Sequence, residues 1–220
     1  MGDIADSAAQ VREKIAAAAA RAGRSHEDIT LVAVSKRQPA GAVTEALAAG
    51  LTQLGENYVQ EAADKRALVT GGVWHLIGHL QSNKAKLAVT LFDLIQSVDS
   101  VKLAREIGRQ AQAIGKMQPV LLQVHLGDED TKTGVPPEAA LDAAAALADI
   151  EGLDLRGLMG VPPLGEDPRP YFTQARTLFE QMSPANRQTL SLGMSGDYEA
   201  AIEEGATLVR VGTALFGARQ

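Results

Sequence analysis

The sequence contains no cysteine among its 220 residues. Disulfide bonds, thiolate metal sites and cysteine nucleophiles are therefore excluded, and the composition suits a reducing compartment. No apolar run is long enough to cross a bilayer, and the first residues lack the apolar core of a secretory signal. We therefore expect a cytoplasmic protein that does not enter the membrane.

The chain also lacks an excess of positive charge, with a formal net charge of −6 at pH 7. Mild acidity argues against a protein that coats nucleic acid or an anionic membrane surface, although it permits a local anion site. Its 45% hydrophobic residues give an ordinary globular composition, with enough length for one sizeable core. We expect a monomer.

Short apolar segments alternate with helical stretches along the chain. Such alternation predicts a parallel α/β sheet, and eight units close into a (β/α)8 TIM barrel with reactive groups in the loops after the strands. A doubly wound open sheet is the alternative, but its first strand would usually be followed by a glycine-rich phosphate turn. Here the first strand is followed by Ser-Lys-Arg-Gln-Pro over 35–39. The predicted strands are Ile29–Val34, Leu51–Gly55, Val73–Ile77, Phe92–Ser97, Pro119–Leu126, Leu153–Val161, Leu190–Leu192 and Thr207–Val211.

One helix precedes the barrel. Apolar residues recur at helical spacing from Ile4 to Ile15, an alanine run follows over 16–20, and Gly23 is the expected stop. We expect residues 1–23 to pack as a leading helix on the outside of a single barrel domain that spans residues 1–220.

Lys36 directly follows the first strand, at the mouth of the predicted barrel. A lysine amine that is partly desolvated there has a lowered pKa and becomes a nucleophile for aldehydes and ketones. A surface lysine whose stem covers the barrel rim is the equally weighted alternative from this strand alone.

The last two units are typical of a phosphate site. Gly193-Met-Ser195-Gly196 and Gly212-Thr213 each follow a strand and open a helix, so that backbone N–H groups and the hydroxyls of Ser195 and Thr213 can approach an anion. Arg210 lies within the eighth strand between apolar neighbours. It is expected either to pair with a buried carboxylate or to reach into the barrel mouth toward a ligand.

Three other kinds of site are disfavoured. A hydrolase nucleophile elbow at Ser195 lacks the correctly spaced second glycine and a histidine later in the chain. His75 and His79 are four residues apart but flank a strand end, so the helical metal-site geometry fails. The acidic residues over 128–130 lack the rest of a calcium loop. We predict no metal.

A lysine at one strand end, an anion site across the mouth and an arginine between them suit a ligand with an aldehyde, a phosphate and a heteroaromatic nitrogen. Pyridoxal 5′-phosphate, held through a lysine Schiff base, has all three.

Six segments also carry a resemblance to a known family. They are Val32-Ala-Val-Ser-Lys36, Gly55-Glu-Asn-Tyr-Val-Gln-Glu61, Trp74-His-Leu-Ile-Gly-His-Leu-Gln-Ser-Asn-Lys84, Leu155-Arg-Gly-Leu-Met159, Leu192-Gly-Met-Ser195 and Val209-Arg-Val-Gly-Thr-Ala-Leu-Phe-Gly217. In this order they resemble the pyridoxal phosphate homeostasis proteins, which have the barrel of the alanine racemase N-terminal domain without its second domain.

The resemblance implies a role for each of several residues. Lys36 would carry the cofactor, Arg210 would lie near the pyridine nitrogen, and Asn57 and Met194 would line the pocket. The phosphate would be held by Ser195, Gly212 and Thr213. In one departure, His125 stands where the family often has asparagine, so a family contact made by that asparagine is in doubt here.

The resemblance and the residues both favour a carrier over an enzyme. An arginine on the pyridine nitrogen keeps it unprotonated, which makes the ring a poorer electron sink. Racemisation also needs a second base, which alanine racemases take from the other domain. Tyr171 and Tyr198 fall in predicted helices rather than at strand ends, so neither is placed to act as this second base. We expect a protein of vitamin B6 homeostasis that holds and releases the cofactor without robust catalytic activity.

Two other functions remain as alternatives: a pyridoxal-phosphate-dependent amino-acid enzyme such as a racemase, and a Schiff-base aldolase without cofactor. The expected partners are the cofactor and apo forms of pyridoxal-phosphate enzymes. Lys132 is a second lysine that could accept the cofactor during transfer, although a solvated loop lysine is the favoured interpretation.

Overall fold

The computed structural model describes residues 3–127, 133–163 and 165–217. Eight parallel strands close into a barrel in the order β1 to β8, with β8 paired back to β1. The predicted (β/α)8 barrel is therefore confirmed, and the open sheet is wrong. The strands are β1 (Thr30–Val34), β2 (Gln53–Glu56), β3 (Val73–Leu76), β4 (Leu94–Val98), β5 (Gln118–His125), β6 (Leu153–Val161), β7 (Thr189–Ser191) and β8 (Leu208–Val211).

Helices follow the strands and cover the barrel. Their apolar faces and the outward faces of the strands form one continuous core, while Leu94, Leu121 and Met159 form a small cluster of their own. The helices are α1 (Ile4–Arg21), α2 (Ala40–Ala48), α3 (Val59–Arg66), α4 (Ala85–Leu91), α5 (Val101–Gln112), α6 (Ala140–Ala148), α7 (Arg169–Gln181), α8 (Tyr198–Glu203) and α9 (Thr213–Phe216).

Two strands, β2 and β4, begin two residues later than the sequence predicts. Leu51 and Phe92 were both assigned to strands, but each closes the helix before its strand. The N–H of Leu51 donates to Ala46 O at 2.9 Å, and the N–H of Phe92 donates to Ala88 O at 2.9 Å. Both side chains are buried, so a buried apolar residue at a helix end has the same pattern as the first residue of a strand.

The first helix, α1, begins and ends with defined caps. The Asp3 carboxylate accepts from Ala5 N at 2.9 Å, and Gly23 adopts the left-handed φ of 67° that ends many helices. The helix contacts α8 and α9. Arg24 strengthens this contact by donating from Nη1 to the carbonyls of Ile202 and Ala206. Within the described residues no helix is long and apolar enough to cross a membrane.

Candidate functional site

A cavity of about 400 Å³ opens at the C-terminal ends of the strands, within the size range of small-molecule sites. It is the place where barrel folds carry their reactive groups. All of the site residues predicted from the sequence line it: Lys36, Asn57, Met194, Ser195, Arg210, Gly212 and Thr213. Val34, Gln38, Ile77, Val161, Gly196 and Gly217 complete the wall.

Lys36 lies immediately after β1 and is half-buried. The residues on both sides of it are held in place. Ser35 donates its N–H to Gly55 O at 2.9 Å, and Arg37 has a left-handed φ of 63°, which is uncommon for a residue with a side chain. The chain therefore makes a sharp, fixed turn at the lysine.

A charged trio, the buried Glu56 and Lys65 with the partly exposed Glu61, fixes this turn. Lys65 Nζ donates to Glu56 Oε1 at 2.6 Å, to Glu61 Oε1 at 2.8 Å and to Ser35 O at 2.6 Å. Glu56 also accepts from the Ser35 hydroxyl at 2.7 Å, and Glu61 accepts from the N–H of Arg37. The trio thus binds the backbone directly before and directly after Lys36.

Sequence reasoning assigned no role to this trio. Glu56 is fully buried and Lys65 is 6% exposed, although charged side chains are usually exposed. Burial raises the pKa of Glu56, and the hydrogen bonds from Lys65 and Ser35 oppose that rise. The one available signal was the spacing of Glu61 and Lys65, four residues apart on α3, which is also the spacing of ordinary surface ion pairs.

The glycine turn after β7 and the start of α9 come together at Ser195. Its Oγ accepts from the N–H of Gly212 at 3.1 Å and from the N–H of Ala214 at 3.4 Å. The turn needs glycine at 193, where φ is 81° and a Cβ would lie 2.6 Å from the Cβ of Ala201. Two backbone donors therefore converge on the Ser195 hydroxyl at the cavity wall, and the anion site that the sequence predicts here stays a prediction.

Arg210 is 4% exposed and lines the cavity. Its Nη1 donates to Ser191 Oγ at 2.5 Å and its Nη2 donates to Gly160 O at 2.9 Å. Among the described residues no carboxylate pairs with it, so the alternative of a buried ion pair finds no partner there. Burial lowers the pKa of Arg210 to about 10, opposed by the charge of Asp197, which leaves the guanidinium protonated at pH 7.

Asn57 follows β2, and its Oδ1 is buried without a hydrogen-bond partner in the described part of the chain. The loop is tightly constrained, because a Cβ on Gly78 would lie 2.3 Å from Asn57 O. Met194 is half-buried on the opposite wall, with its N–H bound by Asp197 Oδ1 at 2.5 Å. An unpartnered acceptor at the edge of a cavity is suited to a ligand donor.

The two histidines of the disfavoured metal site lie in different surroundings. His75 is buried with both ring nitrogens hydrogen-bonded, and burial lowers its pKa to about 4. His79 is exposed and pairs with Asp99. No group of three metal-ligating side chains occurs in the ranges that the structure describes.

Three other kinds of residue singled out in the sequence, where the structure describes them, are absent from the cavity wall. His125 ends β5 with its Nε2 buried and unpartnered within the described residues. Tyr58 is 52% exposed, and Tyr171 and Tyr198 lie in α7 and α8. Lys132 and the acidic residues 128–130 lie outside the described residues.

Comparison with known proteins gives concordant relatives. Residues 7–220 match the family model of the alanine racemase N-terminal domain. The pyridoxal phosphate homeostasis protein of Escherichia coli K12 is 46% identical over 229 aligned positions, which cover 100% of this chain and 98% of that protein.

Two solved structures of PipY from Synechococcus elongatus are also similar. The structure without pyridoxal phosphate has a TM-score of 0.88 at 41% identity. The structure with pyridoxal phosphate bound has a TM-score of 0.83 at 40% identity. In both cases the match covers 97% of this chain and 100% of PipY. The chain therefore belongs to the alanine racemase N-terminal domain family and, within it, to the pyridoxal phosphate homeostasis proteins.

Proposed function

We propose that this chain binds pyridoxal 5′-phosphate in the cavity, holds it through a Schiff base to Lys36 and releases it, so that it acts in vitamin B6 homeostasis. The observation that carries the proposal is the meeting of Lys36, Arg210 and the Ser195–Gly212 anion site in one cavity. The cofactor bound to PipY, a relative at 40% identity, supports the choice of ligand.

The residues of the cavity suit the three functional groups of this cofactor. When bound, the cofactor supplies an aldehyde with which a lysine amine condenses reversibly, with loss of water. Lys36 provides the amine. The hydroxyls of Ser195 and Thr213 provide donors for phosphate oxygens, and the N–H groups of Gly212 and Ala214 hold the Ser195 oxygen at the cavity wall. The guanidinium of Arg210 has more donors than its two hydrogen bonds use, which suits an acceptor nitrogen.

The surroundings of Arg210 favour a carrier over an enzyme. The guanidinium keeps its own proton at pH 7, so it can donate a hydrogen bond to the ring nitrogen but does not transfer a proton to it. An unprotonated ring withdraws electrons weakly, so carbanion chemistry is disfavoured. No tyrosine lines the cavity in the described part of the chain, and a second base opposite the lysine is what a racemase needs. We propose little or no turnover.

The proposal extends to partners. Released cofactor passes to apo forms of pyridoxal-phosphate enzymes, and the chain acts as a cytoplasmic monomer. For Lys132 the sequence favours a solvated loop lysine, and the alternative of a second cofactor acceptor would be ruled out by unchanged transfer kinetics to an apoenzyme in Lys132→Ala.

Reduction of the loaded protein with borohydride tests the proposal. A stable cofactor adduct is expected on Lys36 after peptide mapping, together with a visible absorbance band that Lys36→Ala removes. Lys102→Ala, which changes an exposed lysine of α5, is the matched control and should retain both signals. An adduct mapped to another lysine would refute the assignment.

Deuterium exchange at the α-carbon of amino acids separates the carrier from the enzyme. The carrier predicts exchange far below ordinary enzymatic rates, which are about 1 s⁻¹ or higher. Exchange at such rates in the loaded protein, lost in Lys36→Ala, would establish the racemase-type alternative instead.

A further inference from the structure

A chain of hydrogen-bonded polar side chains crosses the barrel interior and ends on Arg210. Beyond the bond from Arg210 Nη1 to Ser191 Oγ, the Ser191 hydroxyl donates to Gln96 Oε1 at 2.6 Å. Gln96 Nε2 lies 2.9 Å from His75 Nδ1, and His75 Nε2 lies 2.8 Å from Gln53 Oε1. We call Ser191, Gln96, His75 and Gln53 the polar relay.

The polar relay lies where a barrel normally has apolar side chains. It joins β7, β4, β3 and β2, and the interior of such barrels is dominated by branched apolar residues. Ser191 and Gln96 have no exposed surface, and His75 is 3% exposed. Buried polar groups cost free energy unless they are hydrogen-bonded. Apolar side chains would fill the barrel interior equally well, so the need for space-filling does not explain why these residues are polar. Their hydrogen bonds to one another and to Arg210 do explain it.

One set of proton positions gives each of these hydrogens an acceptor. A guanidinium can only donate, so Ser191 Oγ accepts from Arg210 and directs its own proton to Gln96 Oε1. Gln96 then presents an amide N–H to His75 Nδ1, which must be unprotonated. His75 carries its proton on Nε2 and donates to Gln53. Reversing the Gln96 amide would leave the Ser191 proton without this acceptor.

The relay holds Arg210 without neutralising it. The guanidinium of Arg210 donates to the Ser191 hydroxyl and to the backbone carbonyl of Gly160, and both of these groups are uncharged. Asp197 attracts the guanidinium from a distance, without a hydrogen bond among the described contacts. The pKa of His75, which burial lowers to about 4, keeps the imidazole neutral at pH 7. The positive charge on the cavity wall is therefore not cancelled by a contacting anion.

We propose that the polar relay is a positioning network that fixes the guanidinium of Arg210 on the cavity wall and keeps its charge available to an acceptor nitrogen of the ligand. Ser191, Gln96 and His75 are then positioning residues for a ring nitrogen that stays unprotonated. The identity of that ligand rests on the proposed function. The direction of the relay, meaning which atom donates and which accepts in each of its hydrogen bonds, does not depend on the ligand.

The direction is tested in the ligand-free protein by nitrogen NMR of His75. The relay predicts the tautomer with the proton on Nε2 and no titration between about pH 5.5 and pH 8, where an ordinary histidine titrates. A proton on Nδ1, or a midpoint inside that range, would overturn the proposal.

The effect on the ligand is tested with Gln96→Glu, which has nearly the same shape. The carboxylate accepts from Ser191 but cannot donate to His75, so the imidazole takes a second proton and the relay then contains a buried ion pair. We expect about tenfold weaker binding of pyridoxal phosphate, because the new carboxylate behind Ser191 draws on the charge of Arg210 that the ring nitrogen otherwise receives. We also expect the visible band of the loaded variant to titrate with pH where that of the unchanged protein does not.

Serine variants keep the test decisive if Gln96→Glu does not fold. Ser191→Ala should weaken binding, and Ser191→Thr, which retains a hydroxyl, should restore it. Ser97→Ala is the matched control, because Ser97 is equally buried on β4 but donates to Gly78 O, and it should leave affinity and spectrum unchanged. Identical affinities and spectra for Ser191→Ala and Ser97→Ala would overturn the relay. If the unchanged protein does not bind pyridoxal phosphate, the proposed function is overturned. The polar relay is then still tested by the tautomer of His75, because that measurement needs no ligand.

Discussion

Replacing Lys65 by methionine is expected to leave the buried carboxylate of Glu56 without its cation. The side chain of Lys65 is 7% exposed and that of Glu56 is fully buried, so solvent screens their 2.6 Å contact little. Removing one partner of a buried ion pair typically costs about 3–5 kcal/mol, since an uncompensated charge remains. We therefore expect Lys65→Met to lower the free energy of unfolding by about this amount near pH 7.5.

The loss should depend on pH in a defined direction. Burial already raises the pKa of Glu56 above its ordinary value in the folded state. An acid with a raised folded-state pKa binds its proton more tightly when folded, so stability falls as pH rises from the unfolded toward the folded pKa. Without Lys65 that interval widens. The variant should therefore recover part of its stability as the pH is lowered, because Glu56 then takes a proton.

Urea denaturation near pH 5 and pH 7.5 measures both effects. Lys116→Met is the matched control, because Lys116 Nζ donates to the carbonyls of Val89 and Phe92 at 2.7 and 2.8 Å and feels the Asp93 carboxylate only through space, without an ion pair among the described contacts. It should cost about 1–3 kcal/mol for the unpaired carbonyls, with little change over this pH range. The double variant Lys65→Met/Glu56→Gln should be more stable than Lys65→Met. A loss below about 1 kcal/mol, or the same pH dependence as the unchanged protein, would refute the reasoning.

Two further predictions concern the frame around the site. Gly193→Ala should lower the free energy of unfolding by several kcal/mol, measured by thermal denaturation, since φ is 81° and the new Cβ would lie 2.6 Å from the Cβ of Ala201. Gly196→Ala is the control, because its new Cβ meets open space, and it should lower the free energy of unfolding by less than about 1 kcal/mol. Equal losses for the two variants would contradict this prediction. Arg24→Met removes two hydrogen bonds to carbonyls in and just after α8, so it should lower the free energy of unfolding by about 1–3 kcal/mol. Unfolding should stay one cooperative transition. An early separate transition of α1 would contradict the single domain that we expect over residues 1–220.

The sequence is informative where local chemistry decides the structure. Alternating apolar segments and glycine turns predict the barrel, and strand ends predict which side chains meet, because parallel strands present their carboxyl ends on one face. Lys36, Ser195 and Arg210 accordingly line one cavity. The starts of β2 and β4 were wrong because Leu51 and Phe92 end helices instead, and apolar burial alone does not distinguish the two positions.

The buried polar networks could not be predicted in the same way. Lys65 reaches Ser35 across 30 positions of sequence, and Ser191 reaches Gln96 across 95. Such contacts depend on strand register and on which face of the strand each side chain occupies, which are properties of the closed barrel and its surrounding helices. His75 illustrates the difficulty: beside His79 in sequence it resembles a ligand pair, yet in the barrel its neighbours are two glutamines.

The two networks support the site in physically different ways. The trio beneath Lys36 is charged and binds backbone atoms, so it determines where the chain turns. The relay behind Arg210 is neutral and binds a side chain, so it determines how a cation is oriented without cancelling its charge. A carboxylate would orient Arg210 as firmly, but it would also favour a protonated ring nitrogen and hence a stronger electron sink. A neutral relay is therefore the arrangement expected of a protein that holds a reactive cofactor without activating it.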